Sequence, residues 1–314
     1  MLCPSPRIGC LHVVENVIHK KIKLENMFFK SLIKKITSSS QRRKIKRLVR
    51  HVKMFFMGGT KTTIEDLRHV LICDLGLKEG DKIFVTSSFG NLNAKNYTPK
   101  DVIVLLQEIV GNDGLIMMPY YPSLNSMVWV QSKCVFDVNS TVSGMGIMTN
   151  VFSRMPNVIK SEHPFKAVCV WGKYSEYMAS EHYNCVDPYG KDSPYGKLLI
   201  ESNSKSLCLG VKNMPMFHSI EDLLLPQKAL FYENSIFRVP IKMKNGRIVW
   251  CNTFVHSPQK CEKTMMGGEF VERFSSLVHK KIKFGCDYIY ITDNNLAMEE
   301  CKKEFKNGRT RLIR

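Results

Sequence analysis

Residues 82–119 read KIFVTSSFGNLNAKNYTPKDVIVLLQEIVGNDGLIMMP, and this stretch decides the fold. Lys82 to Val85 forms a short strand signal that runs into Thr86-Ser87-Ser88. Thr98-Pro99 then opens a helix reaching Val110, with proline in the first turn, where a missing N–H costs nothing. Gly111-Asn112-Asp113-Gly114 turns the chain into a second strand, Leu115 to Pro119.

The same alternation continues on both sides. Upstream, Thr62 and Thr63 with Glu65 and Asp66 can cap a helix that ends at Gly76. Downstream the pattern predicts strands over 166–171, 206–211, 247–254 and 287–292. It predicts helices over 194–201, 219–225, 269–281 and 294–305. The fold class is therefore α/β: a single α/β/α layered domain with a central mixed sheet over residues 60–314, preceded by a basic helical arm over 1–59. Long irregular joints at 119–144 and 172–193 interrupt the scheme, and loops of that length commonly line a site.

Charge separates the arm from the rest. Lys and Arg outnumber Asp and Glu 46 to 28 in 314 residues, a net +18, and 44% of the chain is hydrophobic, which excludes a disordered polycation. Residues 1–53 hold 14 basic side chains against Glu15 and Glu25, so +12 falls on the arm and +6 on the remaining 261 residues. Within 18–53, Leu24, Phe28, Leu32 and Ile36, then Ile45, Leu48 and Val52, recur at helical spacing among lysines and arginines. Two readings fit: attachment to an anionic membrane surface, or a helical hairpin packed on the domain or on a second subunit. No nucleic-acid motif accompanies the charge, so nucleic acid is not an expected partner.

The eleven cysteines contain no C-x-x-C pair and no zinc spacing. Their odd number, without a signal-peptide pattern, predicts a reduced cytoplasmic setting, with the arm able to hold the protein at the inner membrane face. No apolar run reaches the roughly 18–20 residues of a membrane span.

Individual motifs are weak. Gly144-Met145-Gly146 lacks the third glycine of a dinucleotide fingerprint, Thr149 standing there, and neither a G-x-S-x-G elbow nor a Walker loop is present. Ser87-Ser88, taken alone, reads as a capping turn. His218 enters a helix from a loop at the carboxyl end of a strand, where ligands of open α/β sheets bind. His163, in Ser161-Glu162-His163-Pro164, is placed similarly.

In series, the motifs say more. Leu75-Gly76-Leu77-Lys78-Glu79-Gly80-Asp81, Ser87-Ser88, Met118-Pro119, Ser143-Gly144-Met145-Gly146, Lys160-Ser161-Glu162-His163-Pro164, Gly190-Lys191-Asp192-Ser193-Pro194-Tyr195-Gly196, and Leu209-Gly210-Val211 with His218-Ser219-Ile220-Glu221 follow one another in order. This series resembles the aminoglycoside 3-N-acetyltransferase family over residues 75–221. The tail, 247–305, matches more loosely and the first 60 residues are not covered.

The resemblance implies acetyl transfer from acetyl-coenzyme A, the acyl donor, to a primary amine, with no metal. It implies His218 as general base, Ser87 and Ser88 beside the coenzyme, and Ser161 and His163 shaping its pocket, with Lys160 and Lys191 offering charge to its phosphates. Tyr120, Asp137 and Asp192 are the substrate-side candidates. Three positions depart from the family pattern: Lys160 replaces its arginine, Thr86 its histidine, and Asn252, beside Trp250, the carboxylate expected to orient the base. Glu221, three residues after His218 on the same helix face, or Glu233 can substitute. Asn252 also leaves room for a second reading, a non-catalytic relative that binds coenzyme A or a sugar.

Aminoglycosides are polycations. The joint 119–144 holds only Asp137, with Lys133 opposing it. That balance suits an anionic or neutral acceptor better, such as an amino sugar of surface-glycan assembly.

Overall fold

The computed structural model describes residues 59–225 and 230–311, so the expected arm helices within 18–53 lie outside the described residues. Ten strands are named β1 Lys82–Ser87, β2 Leu115–Pro119, β3 Phe136–Asp137, β4 Ile159–Lys160, β5 Val168–Gly172, β6 Ser204–Leu209, β7 Phe237–Lys242, β8 Ile248–Thr253, β9 His279–Phe284 and β10 Asp287–Asp293. The α-helices are α1 Ile64–His69, α2 Pro99–Val110, α3 Ser126–Gln131, α4 Ile147–Phe152, α5 Ser175–Ala179, α6 Pro194–Ile200, α7 Met216–Leu224, α8 Pro258–Cys261, α9 Gly267–Val271 and α10 Asn294–Lys306.

Seven strands form the central sheet in the order β4-β5-β2-β1-β6-β10-β9. β2, β1 and β6 run parallel, whereas β4–β5, β5–β2, β6–β10 and β10–β9 pair antiparallel. The sheet is therefore mixed, as expected. Alternation along β1 sends Ile83 and Val85 to one face and Phe84 to the other. Ile83 and Val85 join Val102, Ile103 and Leu106 of α2, while Phe84 joins Leu198 of α6, Phe217 and Ile220 of α7 and Ala297 of α10. Two apolar layers on opposite faces of one sheet make the α/β/α arrangement.

Local signals account for the ends. Thr98 caps α2 reciprocally with Asp101, and Thr63 caps α1 with Asp66. The first helix continues past His69 as a π-helical turn, Val70–Asp74, and the chain leaves it through Gly76 at φ +74°.

Two readings of the sequence need correction. The helix expected over 269–281 ends at Val271, and His279–Phe284 is instead the edge strand β9. Lys280, Lys281 and Lys283 give it the polar texture of a helix face, but they are charges on an open sheet edge. β7 was not expected at all, because Pro240 stands in its middle. It is tolerated because β7 pairs fully only with β8, while β3 meets only Ile241 and Lys242 beyond the proline.

The topology fixes where a site can form. The carboxyl ends of β1, β2 and β6 lie side by side, and the antiparallel pairing of β5 brings its start to the same end, with Val168 opposite Pro119. Loops 120–125, 163–167 and 210–215 therefore emerge together. Gly210 turns at φ +65° where a Cβ would stand 2.9 Å from that of Asn91, so a side chain is excluded at the exit of β6.

Candidate active site

α7 carries the first candidate. Its buried face, Met216, Phe217, Ile220 and Glu221, packs under the sheet, and Ser219 Oγ donates to the Tyr189 carbonyl at 2.8 Å, tying the helix to the loop 185–193. His218 stands in the first turn, one-quarter exposed, with Nδ1 3.3 Å from Oε2 of Glu221, which is 1% exposed. Arg311 clamps that carboxylate with two charge-assisted hydrogen bonds, Nε to Oε1 at 2.7 Å and Nη2 to Oε2 at 2.6 Å. It also donates Nη1 to the Met265 carbonyl at 2.7 Å, and Nη2 lies 3.4 Å from His218 Nδ1.

Aromatic rings enclose the imidazole. The His218 ring centroid is 4.6 Å from that of His256 and 4.9 Å from that of Tyr189; His256 packs in turn on Tyr232 at 4.4 Å. Tyr121 joins the hydroxyls of Tyr189 and Tyr195 at 3.1 and 2.8 Å. Burial pushes the Tyr121 hydroxyl up to about 12, so it stays neutral. Above this ring cluster lies Lys166, its ammonium 4.9 Å from the Tyr121 centroid and 5.3 Å from that of Tyr189.

Burial holds His218 well below the ordinary histidine range, with the Arg311 and Lys166 charges acting in the same direction. The imidazole is thus neutral at pH 7, the state in which it can accept a proton. Burial raises the Glu221 carboxyl while Arg311 opposes the shift. Burial also brings the Lys166 ammonium down to about 8.

Two cavities flank this cluster. One, of about 410 Å³, is lined by Tyr121, Ser123, Met145, Lys166, His256 and Cys261 among others, with no carboxylate in its wall. The other, of about 590 Å³, has Glu181, Asp187, Asp192 and Asp222 in its wall with Lys191. Asp222 stands one helical turn beyond His218 and accepts from the Tyr232 hydroxyl at 2.8 Å. The loop carrying Asp187 and Asp192 is seated on α6, where a Cβ at Gly196 would collide with the Gly190 carbonyl.

The structure therefore brings His218, Glu221 and Asp192 to one region. The other expected site residues sit elsewhere. Asn252 is exposed on β8, across from Arg238, because the strand turns Cys251 and Thr253 inward. His256, four residues later, is the side chain that reaches His218. Ser161 and His163 are fully buried: Ser161 Oγ accepts from Val168 N and pairs with His182 Nδ1, both at 2.9 Å. His163 Nδ1 accepts from Lys166 N at 3.1 Å, and Nε2 meets Thr253 Oγ1 at 3.3 Å. These two brace the turn that presents Lys166 and line neither cavity.

Lys160 donates to the Val138 carbonyl at 3.0 Å and covers the Tyr120 ring. Tyr120 is buried, its hydroxyl donating to the Thr141 carbonyl at 2.8 Å. Asp137 accepts from the backbone of Asn139 and Ser140 and pairs with Lys242 at 3.2 Å. Ser87 ends β1, and Ser88 opens a 3₁₀ turn, Phe89–Leu92, with its N–H on the Leu209 carbonyl at 2.8 Å. Thr86, at the position where the family pattern has a histidine, donates to the Asn213 carbonyl at 2.7 Å and so fixes the loop that precedes α7.

Arg311, His256, Lys166 and Asp222 were missed from the sequence. Arg311 reads as part of a basic tail, and nothing local ties it to Glu221 ninety residues earlier. Lys166 left one signal, a lone lysine between Phe165 and Ala167 in an otherwise apolar run.

Known proteins resemble this chain in sequence and in fold. The family model described as aminoglycoside 3-N-acetyltransferase matches residues 84–305. A Bacillus subtilis (strain 168) relative, the SPbeta prophage-derived aminoglycoside N(3')-acetyltransferase-like protein YokD, is 29% identical over 209 residues, 61% of this chain and 73% of its own length. Among solved structures, AAC-IIIb in binary complex with CoASH superposes with a TM-score of 0.63 at 19% identity, covering 80% of this chain and 98% of that one. AAC-VIa bound to sisomicin gives a TM-score of 0.62 at 16% identity, covering 80% and 100%. At such identities the structural likeness is one of fold.

Proposed function

This chain belongs to the aminoglycoside 3-N-acetyltransferase family and is an acyltransferase, and on that premise we propose that it moves acetyl from acetyl-coenzyme A to a primary amine of an aminoglycoside-like polycation, with His218 as general base. The chemistry is assigned to residues 60–314. The observation that carries the reading is the contact of His218 Nδ1 with a buried carboxylate whose other partner is an arginine.

Acetyl-coenzyme A supplies the activated acetyl group when bound. The cavity without carboxylates fits an anionic coenzyme, and Ser123 and Asn125 offer polar contacts in its wall. An amine attacks only when neutral, and most amines are protonated at pH 7. With Nδ1–H directed at Glu221, His218 keeps its Nε2 lone pair for the acceptor's proton. The Glu221–Arg311 pair holds the ring in this tautomer and orientation. Lys166 and Arg311 disfavour the imidazolium, so the proton does not rest there between turnovers.

The four carboxylates of the larger cavity suit a polyamine and favour it over the anionic or neutral acceptor suggested by the joint 119–144. Glu181, Asp187 and Asp192 belong to the joint 172–193, and Asp222 to α7. Thiol release from acetyl-coenzyme A, measured with sisomicin, gentamicin and singly charged glucosamine, tests the reading. Turnover with the polycations at lower KM than with glucosamine is expected; no acceptor-dependent thiol release with any of them would refute it.

A further inference from the structure

Acetyl transfer leaves the Lys166 ammonium without an anionic partner. That ammonium lies over two tyrosine faces, and among the described residues no carboxylate stands within 4 Å of it. The wall of its cavity contains no acid either: Glu181, Asp187, Asp192 and Asp222 line the other cavity, and Glu221 is taken by Arg311 and His218. A part-buried cation held only by ring faces lacks the hydrogen-bonding anion that usually completes such a site. It shares the Tyr189 ring with His218, so an anion meeting it lies beside the reacting centre. The phosphates of coenzyme A are separated from its thioester by the whole pantetheine arm, which leaves the acyl group itself as the source of that anion.

Resting on the acyl-transfer reading, we propose that the smaller cavity accepts acyl donors whose acyl group ends in a carboxylate, of the malonyl- or succinyl-coenzyme A class, with Lys166 pairing with that carboxylate. In transfer the acceptor nitrogen forms the C–N bond and the thioester C–S bond breaks. The nitrogen's proton goes to His218, which passes it to the departing thiolate sulfur, so nothing is oxidised or reduced. Acetyl leaves Lys166 without its anion; a carboxyl-bearing acyl group supplies it.

Calorimetric titration of the whole protein with acetyl-coenzyme A, malonyl-coenzyme A and coenzyme A tests this, on wild type, Lys166→Met and Lys166→Arg, each checked for folding by thermal melting. Wild type is expected to bind malonyl-coenzyme A about tenfold tighter than acetyl-coenzyme A, the worth of one charge-assisted hydrogen bond. Lys166→Met is expected to bind the two equally, and Lys166→Arg to keep the preference. A wild-type ratio at or below one, or a ratio that survives Lys166→Met, overturns the proposal. Equal weakening of all three ligands by Lys166→Met also overturns it, placing a coenzyme phosphate at Lys166. Acetyl transfer to sisomicin without a malonyl preference sinks this inference alone, whereas no binding of any thioester sinks it together with the acyl-transfer reading.

Discussion

Replacing Arg311 with methionine is expected to destabilise the fold by about 3–5 kcal/mol, the cost of leaving a buried carboxylate without its partner. Glu221 is 1% exposed, and both its oxygens take hydrogen bonds from this one side chain, at 2.7 and 2.6 Å. Methionine keeps apolar contact with Phe217 and Phe231, whose rings lie under the guanidinium. The Met265 carbonyl loses its donor in any such variant, which adds about 1–3 kcal/mol if no water replaces it. Burial already raises the Glu221 carboxyl, and without the opposing Arg311 charge it is expected to rise further. The assay is denaturant unfolding of wild type, Arg311→Met, Glu221→Met and the double variant. The double variant, with neither buried charge, is expected to recover a large part of the single-variant loss, giving a coupling energy of at least about 2 kcal/mol. Losses that add to within about 0.5 kcal/mol would show that the two side chains do not act as a pair and would refute the reasoning.

Further outcomes follow from the same geometry. Asp192→Asn and Asp222→Asn are each expected to raise KM for sisomicin about threefold to tenfold while changing kcat less, an effect shrinking above 0.3 M salt; steady-state kinetics at two ionic strengths checks this. His182 is fully buried and burial depresses it from 6.5 to about 3. The unfolded chain therefore binds a proton below pH 6.5 that the folded chain refuses, so stability present at pH 7 is lost as pH falls from about 6.5 toward 3. The loss is about 1.4 kcal/mol per pH unit for this one ring. Unfolding at pH 7.0, 6.0 and 5.0 reads the slope, and His182→Asn should flatten it.

The layered fold was legible because its punctuation is local. Thr98-Pro99 opens α2 and Gly111 to Gly114 ends it, and both signals act within a few residues. β9 was not legible, since lysines on an open sheet edge have the same spacing as lysines on a helix face. β7 was hidden by Pro240, which is harmless only because of where β3 ends, a fact of tertiary pairing. In the site, His218 and Glu221 could be joined from their i, i+3 spacing. Arg311 and His256 could not, as they arrive from 93 and 38 residues away through the tail and the small three-stranded sheet. Asn252 was placed by counting from Trp250, but a strand's period of two turned it outward. The acceptor expectation drew on the joint 119–144, whereas Glu181, Asp187 and Asp192 belong to the joint 172–193 and meet Asp222 only in the folded cavity.

The role of His218 is tested most directly by acceptor-dependent thiol release from acetyl-coenzyme A, comparing wild type with His218→Ala at saturating sisomicin, with the fold of the variant confirmed by thermal melting. General-base removal predicts a fall in kcat of about 10²–10⁴-fold, with coenzyme binding retained. A variant that turns over at the wild-type rate would contradict the account.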